Sequence, residues 1–142
     1  MAADVRAVRE KVQRYLTDLL GTIQIDRDGD FTFRHGSARV FVSVAEFGPD
    51  KTVVRITAPT NSEVTPTPDF YHFVATENKY VFGSMVAVES QGKAGVLFKH
   101  SLLGDTLDPD ELLLAVGLVA GTADEIDNEI KSRFGGRVFH ED

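Results

Sequence analysis

The sequence predicts an α+β fold: an antiparallel sheet of five to six strands with helices on one face, in the order α-β-β-β(-β)-α-β-β-α. Three observations carry this. An amphipathic helical pattern opens the chain, and a long, capped helical pattern closes it. Between them, period-two runs are joined by short Gly-containing turns, which make a meander of antiparallel strands.

The elements follow in order. From Asp4 to Leu20, Val5, Val8, Val12, Leu16 and Leu19 recur at three- and four-residue steps, with Arg6, Arg9, Glu10, Lys11 and Arg14 between them, and Gly21 stops the helix. Ile23 and Ile25 then lead into Asp26-Arg27-Asp28-Gly29-Asp30, where Asp28-Gly29 is a hairpin signal, and Phe31 and Phe33 return. After a turn at His35-Gly36-Ser37, Val40, Val42 and Val44 alternate with Arg39, Phe41 and Ser43. Gly48-Pro49-Asp50 turns the chain into a strand from Thr52 to Ala58. Pro59 to Pro68 reads as a surface loop inside the domain. Thr67 and Pro68 open a short helix carrying Phe70, Phe73 and Val74, which ends near Asn78. Tyr80 to Glu89 and Ala94 to Ser101 form two further strands, joined by Ser90-Gln91-Gly92-Lys93.

The closing helix is fully specified. Asp108 is an N-cap, Pro109 fits the first helical position, Glu111 completes a capping-box spacing, and Gly135-Gly136 is the stop. Its body from Leu112 to Ala120 is apolar nearly all the way round, whereas a half-buried helix shows one stripe. Apolar residues also fall on both faces of the strands: Phe41, and Tyr80, Phe82, Val86 and Val88 against Val81, Met85 and Ala87. A second cover, from another chain, is therefore expected on the helix and on the outer sheet face. Gly117 and Gly121, four apart, point to a close backbone approach, either within the chain or to a second subunit.

Composition bounds the function. The chain has 142 residues, 42% of them hydrophobic and 26% charged, which fits one domain over residues 1–142. Its net charge of −7, from 15 basic and 22 acidic side chains, argues against nucleic acid or an anionic membrane as partner. The absence of cysteine excludes disulfides, thiolate catalysis and cysteine-held metals. No signal peptide opens the chain, and no apolar run approaches the roughly 18–20 residues of a membrane span, so a cytoplasmic location is expected.

Candidate chemistry reduces to structure. Asp26, Asp28 and Asp30 resemble a calcium loop, but the positions that need Gly and Glu hold Phe31 and Ser37, and a hairpin turn explains them. His35, His72, His100 and His140 match no ligand spacing, and Gly83-Ser84 lacks a strand-to-helix elbow. Asp124, Glu125, Asp127 and Glu129 share helix faces in pairs and read as a solvated face, since an acid–base pair would need burial. No enzyme, metal or cofactor is expected.

Several segments resemble a known family. Phe73-Val74-Ala75-Thr76-Glu77-Asn78, then Tyr80-Val81-Phe82-Gly83, Val96-Leu97-Phe98-Lys99 and Leu107-Asp108-Pro109-Asp110-Glu111-Leu112 are similar to the type III secretion chaperone-like and YbjN-like superfamily. The run Val119-Ala120-Gly121-Thr122-Ala123-Asp124-Glu125-Ile126-Asp127, with Phe134-Gly135-Gly136, most resembles its actinobacterial peptide-binding-chaperone branch. The resemblance implies a small cytoplasmic, commonly dimeric protein that binds an extended peptide or partner protein and performs no chemistry. It fixes no residue positions. Read from the apolar surplus, Leu114, Gly117, Leu118, Gly121, Phe41 and Phe82 are the candidate partner or dimer surface of a homodimer that holds a polypeptide. The alternative is a small-ligand pocket between sheet and short helix, lined by Phe70, Phe73, Tyr80 and Phe82.

Overall fold

The computed structural model describes residues 4–139; His140 lies outside them. The elements run α1 (Val5–Leu20), β1 (Gln24–Ile25), β2 (Phe31–His35), β3 (Ala38–Phe47), β4 (Lys51–Val64), α2 (Pro68–Thr76), β5 (Ser84–Ser90), β6 (Lys93–Leu103), α3 (Pro109–Phe134) and β7 (Arg137–Val138). The expected architecture is present. A single antiparallel sheet has the order β1-β2-β3-β4-β6-β5, and β7 adds to β4 off that path. Because β6 inserts between β4 and β5, β5 is left at the outside of the sheet.

Each helix starts where a polar side chain takes up free backbone N–H groups. Asp4 accepts from Ala7 N at 3.0 Å, Thr67 from Phe70 N at 3.1 Å and Asp108 from Glu111 N at 2.8 Å. Gly135 ends α3 by donating its N–H to the Lys131 carbonyl at 2.9 Å. Acidic Asp110 and Glu111 in the first turn and basic Lys131 and Arg133 in the last complement the helix dipole.

The core lies between one face of the sheet and the helices. Register puts Val42, Ile56 and His100 in one row, and Ala58, Phe98 and Met85 in another. On these rest Val8, Val12 and Leu16 of α1, Phe70 and Phe73 of α2, and Leu112, Val116, Val119, Ala123, Ile126 and Ile130 of α3. The opposite face carries Phe41, Thr57, Lys99 and Ser84 in one row and Ala45, Val53 and Leu103 in another, where Leu103 is exposed.

Three expectations need correction. Pro59 to Val64 is not a surface loop but the continuation of β4, with Thr60 and Asn61 buried. The β3 ladder ends at Phe41↔Thr57, so at Pro59 no partner on that side requires an N–H. Bulges then re-aim the strand, and Val138 and Arg137 of β7 pair with Asn61 and Ser62. Second, Tyr80 to Gly83 is not strand: Gly83 at φ +91° lets the connector fold Tyr80 against Phe98, at 5.1 Å between ring centroids. Third, the first hairpin does not turn on Asp28-Gly29 alone. Ile25 pairs with Phe31, and the Asp26 carboxylate accepts the N–H groups of Asp28 and Asp30 at 2.9 Å each.

Candidate functional site

The uncovered edge of β5 is the best-defined candidate. β5 and β6 are joined by Gln91 (φ 54°) and Gly92 (φ 77°), a type I′ hairpin that closes on Ser90↔Lys93. From such a turn, hydrogen-bonded and non-hydrogen-bonded pairs alternate along the ladder. Ser90, Val88, Val86 and Ser84 therefore bond to β6, while Glu89, Ala87 and Met85 direct their backbone groups outward. The Asn78 carboxamide confirms the phase: it donates to the Met85 carbonyl at 2.9 Å and accepts the Met85 N–H at 2.8 Å. Asn78 thus mimics a neighbouring strand for one residue. Beyond it, Ala87 and Glu89 offer the next main-chain rungs to an outside strand.

The surroundings of this edge are apolar on one side and polar on the other. Val86 and Val88 are 37% and 47% exposed on the outer sheet face. Beside them, Val81, Gly83, Ser84, Val86, Lys99, His100 and Ser101 line an open recess of about 420 Å³. On the helix side, the Tyr71 hydroxyl donates to the Glu89 carboxylate, which holds the phenol above its ordinary pKa.

His100 lies in an inner row of β6, and the Phe82 ring packs edge-on against it at 5.3 Å between centroids. Burial pushes the imidazole below its ordinary pKa. The folded chain therefore disfavours the protonated form, whereas the unfolded chain takes up the proton near pH 6.5, about the ordinary histidine value. Just below that pH the unfolded state binds more protons, so this contribution to stability is present above about pH 6.5 and is lost as pH falls towards the folded-state value. His100→Gln is expected to flatten the difference in urea midpoint between about pH 7.5 and about pH 5.5 relative to the parent.

The six residues of the expected partner surface do not form one surface. Leu114, Gly117, Leu118 and Gly121 lie together on the outward side of α3, with Leu114 56% and Leu118 40% exposed. Phe41 is half-buried on the opposite side of the sheet, and Phe82 is taken up by His100. A Cβ built on Gly117 or Gly121 meets no atom within 4 Å, so neither glycine serves a close contact inside the chain. Each is expected to lose nothing on replacement: Gly117→Ala and Gly121→Ala should each stabilise the free chain by about 1 kcal/mol, read as a rise in urea midpoint.

The four aromatics expected to line a ligand pocket are packed instead. Phe70 and Phe73 meet Phe134 at 5.6 and 5.3 Å, and Tyr80 meets Phe98. Of the four, only Phe73 borders the open groove of about 540 Å³ between α2 and the end of α3, which Asp69, His72, Thr76, Glu77, Arg133 and Phe134 also line.

The acidic helix is also corrected. Asp127 is not solvated but 2% exposed, on the stripe of Ala120, Ala123 and Ile130. The Ser37 hydroxyl lies 2.5 Å from the Asp127 carboxylate and also bonds to Asp124, whose Oδ1 accepts the Ser37 N–H at 2.7 Å. Asn61 donates to the Asp127 carbonyl at 2.9 Å. This cluster ties the β2–β3 turn, β4 and α3 together, and its signal in the sequence was the three-four-three spacing with the apolar stripe. Among the described residues, no three His, Asp or Glu side chains are placed to hold a metal ion. His35 and His72 are exposed, and Ser84 opens β5.

The architecture is thus a helix-backed antiparallel sheet with an open edge at β5. The family described as T3SS (YopN, CesT) and YbjN peptide-binding chaperone 1 matches residues 6–142, and the chain belongs to that family. The crystal structure of YbjN from E. coli is similar, with a TM-score of 0.68 and 7% identity over 87% of this chain and 91% of that one. At this identity the likeness shows a shared fold. No curated protein matches the sequence. No helix among the described residues is long and apolar enough to cross a membrane.

Proposed function

We propose that this protein is a non-enzymatic module that binds an extended segment of another polypeptide by adding it to β5, and that it works as a homodimer. The observation that carries the reading is the outward phase of Ala87 and Glu89 on a terminal strand whose preceding rung, Met85, is already taken by Asn78. Main-chain bonding supplies affinity with little regard to sequence, and alternate side chains of the added strand would lie over Val86 and Val88 or in the recess beside them. Family membership supports a peptide as the ligand. For the dimer, the support is the outer-face row of Ala45, Val53 and Leu103, with Phe47 beyond it; Phe47 and Leu103 are 57% and 55% exposed.

Ala87→Pro tests the peptide reading. Proline removes an N–H that faces away from β6, so an edge strand tolerates it. The expected result is a native far-UV spectrum with at least a tenfold loss of affinity for a permanently unfolded, reduced and alkylated model polypeptide. Unchanged affinity in the folded variant would remove β5 from the mechanism. Light scattering tests the dimer: the parent is expected at twice the chain mass, and Leu103→Asp at the chain mass.

A further inference from the structure

We propose that the outward side of α3 is a second docking surface, distinct from the β5 edge, and that its occupant is an amphipathic helix with small or apolar residues along its contact stripe and lysine or arginine at its flanks. Leu114 and Leu118 stand one turn apart and are 56% and 40% exposed. Beside them Gly117 and Gly121 leave a shallow trough, since a Cβ at either position would meet nothing within 4 Å. A second helix can therefore approach closely, near the lower end of the roughly 8–10 Å range of helix–helix distances, with the leucines as its ridge.

Charge selects the occupant. Residues 109–130 of α3 include no lysine or arginine, and Glu111 and Glu125, both exposed, bracket the leucines on the outward side. A cationic flank on the incoming helix complements this rim. A second copy of the chain does not. Antiparallel pairing of α3 with itself, centred on Leu118, would set Glu111 against the other copy's Glu125, and parallel pairing would set each acid beside its counterpart. The α1 helix of a second copy carries the basic residues Arg6, Arg9, Lys11 and Arg14, but Val8, Val12 and Leu16 on its apolar stripe are already buried.

The test uses the full chain and two synthetic helical peptides with the same alanine–leucine stripe, one flanked by lysines and one by glutamates, followed by fluorescence anisotropy. The expected result is at least tenfold tighter binding of the lysine peptide, weakened by salt. Binding should fall at least tenfold in Leu114→Ser/Leu118→Ser and in Gly117→Leu, each checked for an unchanged far-UV spectrum. Gly121→Leu is the second variant for the trough should Gly117→Leu not fold. Failure of the lysine peptide to bind, equal binding of both peptides, or binding indifferent to these variants would overturn the proposal. So would loss of lysine-peptide binding in Ala87→Pro, which would move the contact to β5. Retention there, alongside loss of unfolded-polypeptide binding, keeps the two surfaces separate.

Discussion

Phe98→Ala is expected to destabilise the fold by about 3–5 kcal/mol, the usual range for emptying a buried phenylalanine site. The ring is fully buried in the middle of β6, beside Met85 of the edge strand across the ladder and against Tyr80. The Gly83 Cα lies so close that a Cβ there would stand 2.3 Å from the ring. Phe98 is thus the post around which the α2–β5 connector wraps, and the same connector carries Asn78 to the β5 edge. Urea unfolding monitored by circular dichroism would measure the loss. The Met85 amide, held by Asn78 in the parent, should also exchange faster in the variant, because the connector loses its support before the sheet does.

Gly36→Val is expected to cost about 3 kcal/mol through two separable effects. Gly36 has φ +59°, a conformation that a β-branched residue adopts only under strain. Its Cβ would also stand 2.6 Å from the Asp124 carboxylate, which receives both Ser37 donors. The intrusion would push the β2–β3 turn off α3 and disturb the Ser37–Asp127 contact as well. Gly48→Val is the control. Gly48 has a similar φ of +67° but nothing within 4 Å of its Cβ, so its urea midpoint should fall by the backbone component alone, about 1 kcal/mol or somewhat more. Equal losses at the two positions would mean that the Asp124 contact contributes nothing.

The parts of the fold that were legible in the sequence are those whose physics is local. α3 was readable because cap, body and stop all lie within its own residues, and α1 because its valines repeat at helical steps. β4 was not readable past Ala58, because Pro59, Asn61 and Ser62 have turn chemistry. Only the early end of the β3 ladder and the arrival of β7, both remote in sequence, make that stretch a strand. Tyr80 to Gly83 alternated like a strand, yet contact with Phe98 decided its path. The charge of Asp127 argues for solvent, yet its helical phase, between Ala123 and Ile130 on the apolar stripe, buries it.

The apolar surplus was legible too, but not its division. Leu114 and Leu118 face outward, a side that a run apolar all the way round does not mark, whereas Phe41 is half-buried on the other side of the sheet and Phe82 packs on His100. Gly117 and Gly121 left two explanations open, and the empty space around them removes the intramolecular one. The β5 edge had no mark in the sequence at all. Strand order, set by the insertion of β6 beside β4, is a property of the assembled sheet.

Residue-resolved hydrogen exchange, with and without the unfolded model polypeptide, bears most directly on strand addition. The Ala87 and Glu89 amides should exchange rapidly in the free chain and become protected on binding, while the amides of Val86 and Val88, already bonded to β6, change little. Binding that leaves Ala87 and Glu89 in rapid exchange would contradict the account.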